Sequence, residues 1–430
     1  MMRRRVVITG MGVITPLGHS VEALFAASVE GRTAVGPITH FDARTFPTTF
    51  ASEVKNFDLA NYLPQAERFR HFGVNTHYAL AAGQMALAQA GLLEVTGDRT
   101  RMGVYLGSGE GKEDFEALVT STAKATQPGE RTCNIRDAVG WLYQRLNGPQ
   151  EKEQEMFVPS GQLANEFVLE GPFASCQTAC AASSQAIGEA LEMIRANEAD
   201  VILAGGSHSM ITPLGISGFN RLTALSQRND SPQTASRPFD RTRDGFVIGE
   251  GAGLLVLEEL EHAKARNAPI LAELTGYGST ADAFRMTDPH PEGQGAIRAM
   301  AEAIADAQLQ PADIGYINAH GTSTQANDVA ETKAIKAVFG PQAYQIPISS
   351  SKSMLGHLIA AAGAVELIIT VMALRHGIIP PTINYQTPDP ECDLDYVPNR
   401  AREARFRHAL SNSFGFGGQN VALVVSAFTD

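Results

Sequence analysis

The chain has 430 residues, 19% of them charged and 7% aromatic, with a formal net charge of −12. A chain of this length buries a large core and has room for two or three domains, and its composition is that of a folded enzyme rather than a disordered tail. The acidic balance argues against nonspecific nucleic-acid binding, and no window approaches the roughly 18 uninterrupted apolar residues of a membrane span.

The basic start, Arg3-Arg4-Arg5, precedes an apolar stretch that Gly10 and Gly12 interrupt, so residues 4–9 read as a first strand and not as a leader. Residues 77–91 form an alanine-rich helical pattern with Ala81, Met85, Ala88 and Leu92 near one face. A strand at 101–106 ends in Gly107-Ser108-Gly109-Glu110-Gly111. The polar segment 110–155 leaves the core, with one short helix expected near residues 136–146. Residues 185–195 carry Ala186, Ile187, Ala190, Leu191 and Ile194 at helical spacing and lead to a strand at 200–204. After the loop-like stretch 226–244, another strand runs over 254–257.

The pattern then recurs. An alanine-rich helix at 295–307 is followed by a strand at 314–318 and the loop Ala319-His320-Gly321-Thr322-Ser323-Thr324. Ser351-Lys352-Ser353-Met354-Leu355-Gly356-His357 precedes a second apolar helix at 358–375. The glycine-rich loop Asn412-Ser413-Phe414-Gly415-Phe416-Gly417-Gly418-Gln419-Asn420 precedes a last strand at 421–428. Two α/β halves are therefore expected, residues 1–268 and 269–430, each giving loops to one shared cleft.

Cys133, Cys176, Cys180 and Cys392 have neither zinc-ligand nor disulfide-scaffold spacing, which fits a reducing cytoplasm. A lone cysteine is more often a small buried residue than a nucleophile. Cys180, however, stands at the entry to the 185–195 helix, where unpaired N–H groups and the dipole lower a thiol pKa by roughly one unit. Reactivity then needs further groups, and two histidine motifs offer them. His320 follows a strand and precedes a glycine, with the Thr322 and Thr324 hydroxyls able to bond a polar arm. His357 is expected to open the 358–375 helix, where the dipole favours a neutral imidazole that can still donate a hydrogen bond. Lys352 can orient the histidines or bind a carboxylate, and Glu366 is a candidate ion partner. In the last loop, glycines free N–H groups to meet an anion, and Phe416 can act as a hinged wall.

These blocks, with Val6-Val7-Ile8-Thr9-Gly10-Met11-Gly12, Thr178-Ala179-Cys180-Ala181 and Ser236-Arg237-Pro238-Phe239-Asp240 followed by Asp244-Gly245-Phe246, closely resemble the β-ketoacyl-acyl-carrier-protein synthases, the elongating condensing enzymes of type II fatty-acid synthesis. The resemblance implies a thiolase-like duplicated αβαβα layered fold and a homodimer. It implies decarboxylative Claisen condensation of an enzyme-bound acyl thioester with malonyl-acyl-carrier protein. Cys180 would be the acylated nucleophile, with its N–H and that of Phe416 as oxyanion hole and Phe416 also as a gate. His320 and His357 would bind the malonyl thioester, Lys352 would support them, and Thr322 and Thr324 would hold the phosphopantetheine arm. Phe414 and Glu110 fall among the substrate-binding positions. No metal or bound cofactor is implied, because substrates arrive on the phosphopantetheine of acyl-carrier protein.

Degradative thiolases use a second cysteine, but Cys392 lacks a glycine-rich setting. Initiating synthases use a Cys-His-Asn set, and His357 stands in the third place. A non-catalytic chain-length-factor-like subunit lacks the cysteine, whereas a decarboxylase of the same fold remains a rival. Glu110 replaces an apolar or small pocket residue, the 110–155 excursion is longer than the family norm, and 157–170 is shorter. Acyl length and pathway, housekeeping or specialised, thus stay open. Arg68, Arg70 and Arg221 are the candidate cations for an acidic carrier protein.

Overall fold

The computed structural model describes residues 3–94, 97–109, 111, 114–146, 148–152 and 155–429; Glu110 lies outside them. A ten-stranded sheet organises the chain. Its strands are β1 (Val6–Ile14), β2 (Met102–Ser108), β3 (Phe173–Cys176), β4 (Val201–His208), β5 (Gly251–Glu259), β6 (Ala272–Ala281), β7 (Ile314–Asn318), β8 (Ile348–Ser349), β9 (His408–Gly415) and β10 (Gln419–Ser426). They are ordered β8-β7-β9-β10-β6-β1-β5-β4-β2-β3.

Cut between β6 and β1, the sheet gives the same topology twice, β3-β2-β4-β5-β1 and β8-β7-β9-β10-β6. Strand directions repeat as well. In each half the fifth strand runs antiparallel to the first and fourth, and the second runs parallel to the third and fourth. The halves join where Val7 and Ile8 pair with Glu273 and Ala272.

Among the helices of the described residues, α1 (Val74–Gln89), α2 (Ala182–Arg195) and α3 (Gln294–Asp306) pack on the sheet, α4 (Gln325–Phe339) packs on α3, and α5 (Ala362–His376) packs on the sheet and on α2. α1 and α3 occupy equivalent places after the first strand of each half, and α2 and α5 after the third. α5 is apolar on all sides, which suits a helix in the middle layer. Residues 359–376 are long and apolar enough to cross a membrane, but 83% of that stretch is buried inside the protein. α2 and α5 meet through small residues. Ser183 Oγ accepts the Ala364 N–H at 3.0 Å, and a Cβ on Gly363 would fall 2.0 Å from Ser184 Oγ.

The first strand runs past the expected residue 9 to Ile14 because its glycines pack rather than break. A Cβ on Gly10 or Gly12 would lie 2.0 Å from the carbonyl of Ala86 or Ala82 on α1. The 110–155 excursion holds more helix than its polarity suggested: Phe115–Lys124 is capped by Asp114 and Ile135–Tyr143 by Asn134. The helix expected at 358–375 starts later, at Ala362 after a 3₁₀ turn at Ile359–Ala361, so His357 does not open it.

Candidate active site

Cys180 sits in the 3₁₀ turn Ala179–Ala181 that feeds α2. Ala179 has φ +48°, in the left-handed region that costs a side-chain-bearing residue roughly 1–2 kcal/mol. Gly415 at the end of β9 lets that strand press on the turn, since a Cβ there would come 2.8 Å from the Thr178 carbonyl and 3.3 Å from Cys180 N. The sulfur is buried, beside the N–H groups of Phe416 and of Cys180 itself. Burial pushes the thiol up to about 11, against the Lys352 charge and those two N–H groups. The lowered pKa expected from the helix dipole is therefore not found. Cys180 precedes the first α-helical turn, and loss of water outweighs the dipole.

His320 follows β7. Its N–H and that of Gly321 both donate to the Glu331 carboxylate at 2.8 Å, and Asn412 Nδ2 adds a third bond at 3.1 Å. Glu331 is buried on α4, and burial pushes its carboxyl up to about 6 against those donors. Sequence reasoning missed it. The available signal was a carboxylate sharing a helix face with Ala330, Ala334 and Ile335.

His357 lies in an extended piece between the helical turn Lys352–Leu355 and the Ile359–Ala361 turn. Its N–H donates to the Val247 carbonyl at 2.7 Å, and its own carbonyl accepts from Gly249 at 2.9 Å. Nδ1 accepts from the Ile359 N–H at 3.3 Å, which assigns the proton to Nε2; that atom is buried with no hydrogen-bond partner among the described residues. Both imidazoles are held well below the usual histidine range, first by burial and then by the Lys352 charge. Neutrality thus comes from desolvation and a neighbouring cation, not from a helix end.

The His320 and His357 rings are 5.4 Å apart at 83°, and Phe414 lies 5.7 Å from His320. Cys180 Sγ and one nitrogen of each histidine all lie within 4.8 Å of one another. These are also possible donors to a soft metal ion, but the Lys352 charge that opposes protonation of the rings opposes a dication equally. Lys352 is itself buried, with Nζ 2.5 Å from Glu366 Oε1, and burial pushes Glu366 up to about 7 against that charge. The pair acts on the histidines through its field, without a hydrogen bond to either.

A cavity of about 290 Å³ is lined by Cys180, His320 and His357, with Thr322, Thr324, Phe414 and Phe416 also on its walls. The two threonine hydroxyls are 2.9 Å apart. Arg68 and Arg70 do not line it, and each faces an acid, Glu166 at 3.3 Å and Glu67 respectively. Arg221 ends the helix Pro213–Arg221, next to the cavity residues Leu222 and Thr223.

Residues 3–263 match the family described as Beta-ketoacyl synthase, N-terminal domain, and residues 271–386 the corresponding C-terminal domain. The chain is 45% identical over 435 residues to the 3-oxoacyl-[acyl-carrier-protein] synthase 2 of Coxiella burnetii, covering 100% of both chains. A solved beta-ketoacyl synthase from Burkholderia phymatum is similar at TM-score 0.87 and 36% identity, over 99% of this chain and 100% of that one. The same score, identity and coverages hold for a structure described as a type II PKS acyl-carrier protein in complex with its ketosynthase bound to the hexaketide. The chain belongs to the beta-ketoacyl synthase family, and its duplicated αβαβα architecture is the thiolase-like fold.

Proposed function

We propose that this beta-ketoacyl synthase lengthens acyl chains by decarboxylative Claisen condensation, taking an acyl group from acyl-carrier protein onto Cys180 and joining it to malonyl-acyl-carrier protein. One observation carries the reading: a buried sulfur and two neutral imidazoles, supplied by opposite repeats of the fold, share a cavity within 4.8 Å of one another.

In the first half-reaction Sγ attacks the acyl carbonyl, the bond from that carbonyl to the pantetheine sulfur breaks, and the thiol proton ends on the departing sulfur. Because burial keeps the resting thiol protonated, the proton leaves as the bond forms, and a neutral imidazole is at hand to pass it on. Charge develops on the acyl oxygen beside the Cys180 and Phe416 N–H groups. One such fixed donor is typically worth about 2.7–4 kcal/mol in the transition state.

In the second half-reaction the malonyl carboxylate leaves as CO₂ and its electron pair becomes an enolate. Imidazole N–H groups of His320 and His357 stabilise the enolate oxygen. Neutrality matters here: an imidazolium would grip the carboxylate that has to leave and so stabilise the ground state. The enolate carbon then attacks the Cys180 thioester, the C–S bond breaks, and the thiolate regains a proton. Thr322 and Thr324 hold the phosphopantetheine arm, Phe414 shapes the wall, and Phe416 gates access. Lys352, paired with Glu366, keeps the histidines neutral.

In this reading residues 1–268 supply the nucleophile and residues 269–430 the imidazoles, with no bound cofactor of the enzyme's own. A homodimer is part of it, supported by Ile135, Val139 and Tyr143 at 74%, 58% and 78% exposure. So is a cytoplasmic setting, which suits four free cysteines. Of the cations proposed for carrier docking, Arg221 beside the cavity is better placed than Arg68 and Arg70, whose charges neighbouring acids offset.

The test is intact-mass analysis after incubation with acyl-carrier proteins of several acyl lengths, followed by malonyl-acyl-carrier protein. The expected outcome is an acyl adduct on wild type but not on Cys180→Ala, then a β-ketoacyl product two carbons longer. No adduct with any donor rejects the reading, and CO₂ release without a longer product makes the protein a decarboxylase.

A further inference from the structure

One arginine ties down the turn that carries Thr322 and Thr324. Arg243 is buried and does not itself line the cavity. Its Nε donates to the Thr324 carbonyl at 3.1 Å and its Nη2 to the Gln325 carbonyl at 3.3 Å. Its Nη1 donates to the Asp240 carbonyl at 2.8 Å and to the Asp389 carboxylate at 2.6 Å. The Asp328 carboxylate, in the first turn of α4, lies 3.3 Å from Nε. Asp328 also accepts the N–H group of Phe239 at 2.8 Å.

The turn between those threonines is strained and over-determined. Ser323 has φ +72°, a left-handed conformation that a residue other than glycine keeps only where its surroundings impose it. Here they do: Ser323 Oγ accepts the Arg237 N–H at 3.0 Å, its carbonyl accepts the Gly245 N–H at 3.1 Å, and Gln325 Nε2 returns a bond to the Arg243 carbonyl at 2.7 Å. Thr322, Thr324 and Gln325 line the cavity on one side of this clamp, and Asp244 and Gly245 on the other.

We infer that Arg243 is a positioning residue for the substrate channel: its guanidinium fork holds the 322–325 turn so that both threonine hydroxyls meet the polar arm of a carrier-borne thioester. This rests on the reading above that the threonines bind that arm. Only a planar fork serves several carbonyls and two carboxylates at once. A lysine keeps the charge but offers a single point of attachment.

The test uses the full chain with Arg243→Lys, which keeps the charge and loses the fork, and Asp389→Asn, which keeps the fork and loses one anchoring charge. The first readout is the Kd of a non-reactive malonyl-pantetheine amide by calorimetry, which needs no turnover. The others are KM and kcat for malonyl-acyl-carrier protein, alkylation of Cys180 by iodoacetamide, and thermal melting. For Arg243→Lys the expected result is a rise of about tenfold or more in Kd and KM, kcat within about threefold, and unchanged alkylation; Asp389→Asn shows a rise of about threefold. Unchanged Kd in folded Arg243→Lys overturns the inference, as does an equal fall in kcat and alkylation. If that variant does not fold, Asp389→Asn decides by the same Kd criterion. Wild type that binds the amide but forms no product fails the condensing reading and leaves the Kd comparison to judge Arg243.

Discussion

Residues 178–182 and residues 358–362 enter equivalent helices by the same route. Ala179 and Ile359 both have φ +48°, each opens a 3₁₀ turn, and each turn runs into a helix of the middle layer. The next residue is Cys180 in one turn and Ala360 in the other. The backbone device is therefore common to both halves, and it does not by itself make a reactive site. What differs is the chain around it. In the first half only Gln177 and Thr178 separate β3 from the turn, whereas in the second residues 350–358 intervene and deliver Lys352 and His357. After the second strand the first half goes on to its helical excursion, and the second half presents the His320 loop. Duplication built the scaffold, and unequal connections between matching elements furnished the chemistry.

The sharpest way to break this comparison is to move the sulfur. Cys180→Ala is expected to lower condensation by on the order of 10⁴-fold or more, and adding Ala360→Cys should restore none of it. Product analysis and intact mass check this; an acyl adduct on a cysteine at 360 would mean that the turn alone suffices. Removing one imidazole comes next. His357→Ala or His320→Ala should slow malonyl decarboxylation by about 10²–10³-fold while Cys180 still takes up an acyl group, measured as CO₂ release against adduct formation.

Lys352→Met tests the charge behind the rings. It leaves Glu366 buried without its cation, which should cost about 3–5 kcal/mol, less whatever Glu366 recovers by protonation. The Lys352 charge favours thiolate, so removing it raises the Cys180 pKa further and slows alkylation at pH 8; denaturant unfolding and an iodoacetamide pH–rate profile measure the two effects. The smallest effects separate the two turns themselves. Ile359 is 6% exposed and packs in the cluster that holds Cys180. Ile359→Gly should therefore cost about 2–4 kcal/mol despite relief of its backbone strain. Ala179→Gly trades that relief against glycine's entropy and should stay within about 0.5 kcal/mol. Comparable melting shifts in both would show that backbone strain, not packing, dominates.

Much of the fold could be read from residue spacing. The helical periodicity at Ala186, Ile187, Ala190, Leu191 and Ile194, and its echo in the 358–375 stretch, announced two related layers because burial on one or all faces leaves a direct mark on composition. Helix starts were harder to read. The 3₁₀ turns before α2 and α5 carry alanines that look helical, so the position of His357 relative to its helix was misjudged, and with it the cause of its neutrality. The helix at Phe115–Lys124 was hidden in a polar segment because a surface helix needs only one apolar stripe and a cap.

The chemical identity of the reacting groups belongs to the chain alone: a thiol in Thr178-Ala179-Cys180-Ala181, imidazoles at 320 and 357, an ammonium at 352. Their charge states do not. Whether a thiol or an imidazole is ionised depends on how much water it loses and which charges remain near it, and both depend on residues far away in sequence. Glu331 holding the His320 backbone, Arg243 clamping the turn at Ser323 and Lys352 meeting Glu366 are contacts that local periodicity cannot encode, because buried polar groups pair according to where the fold places them.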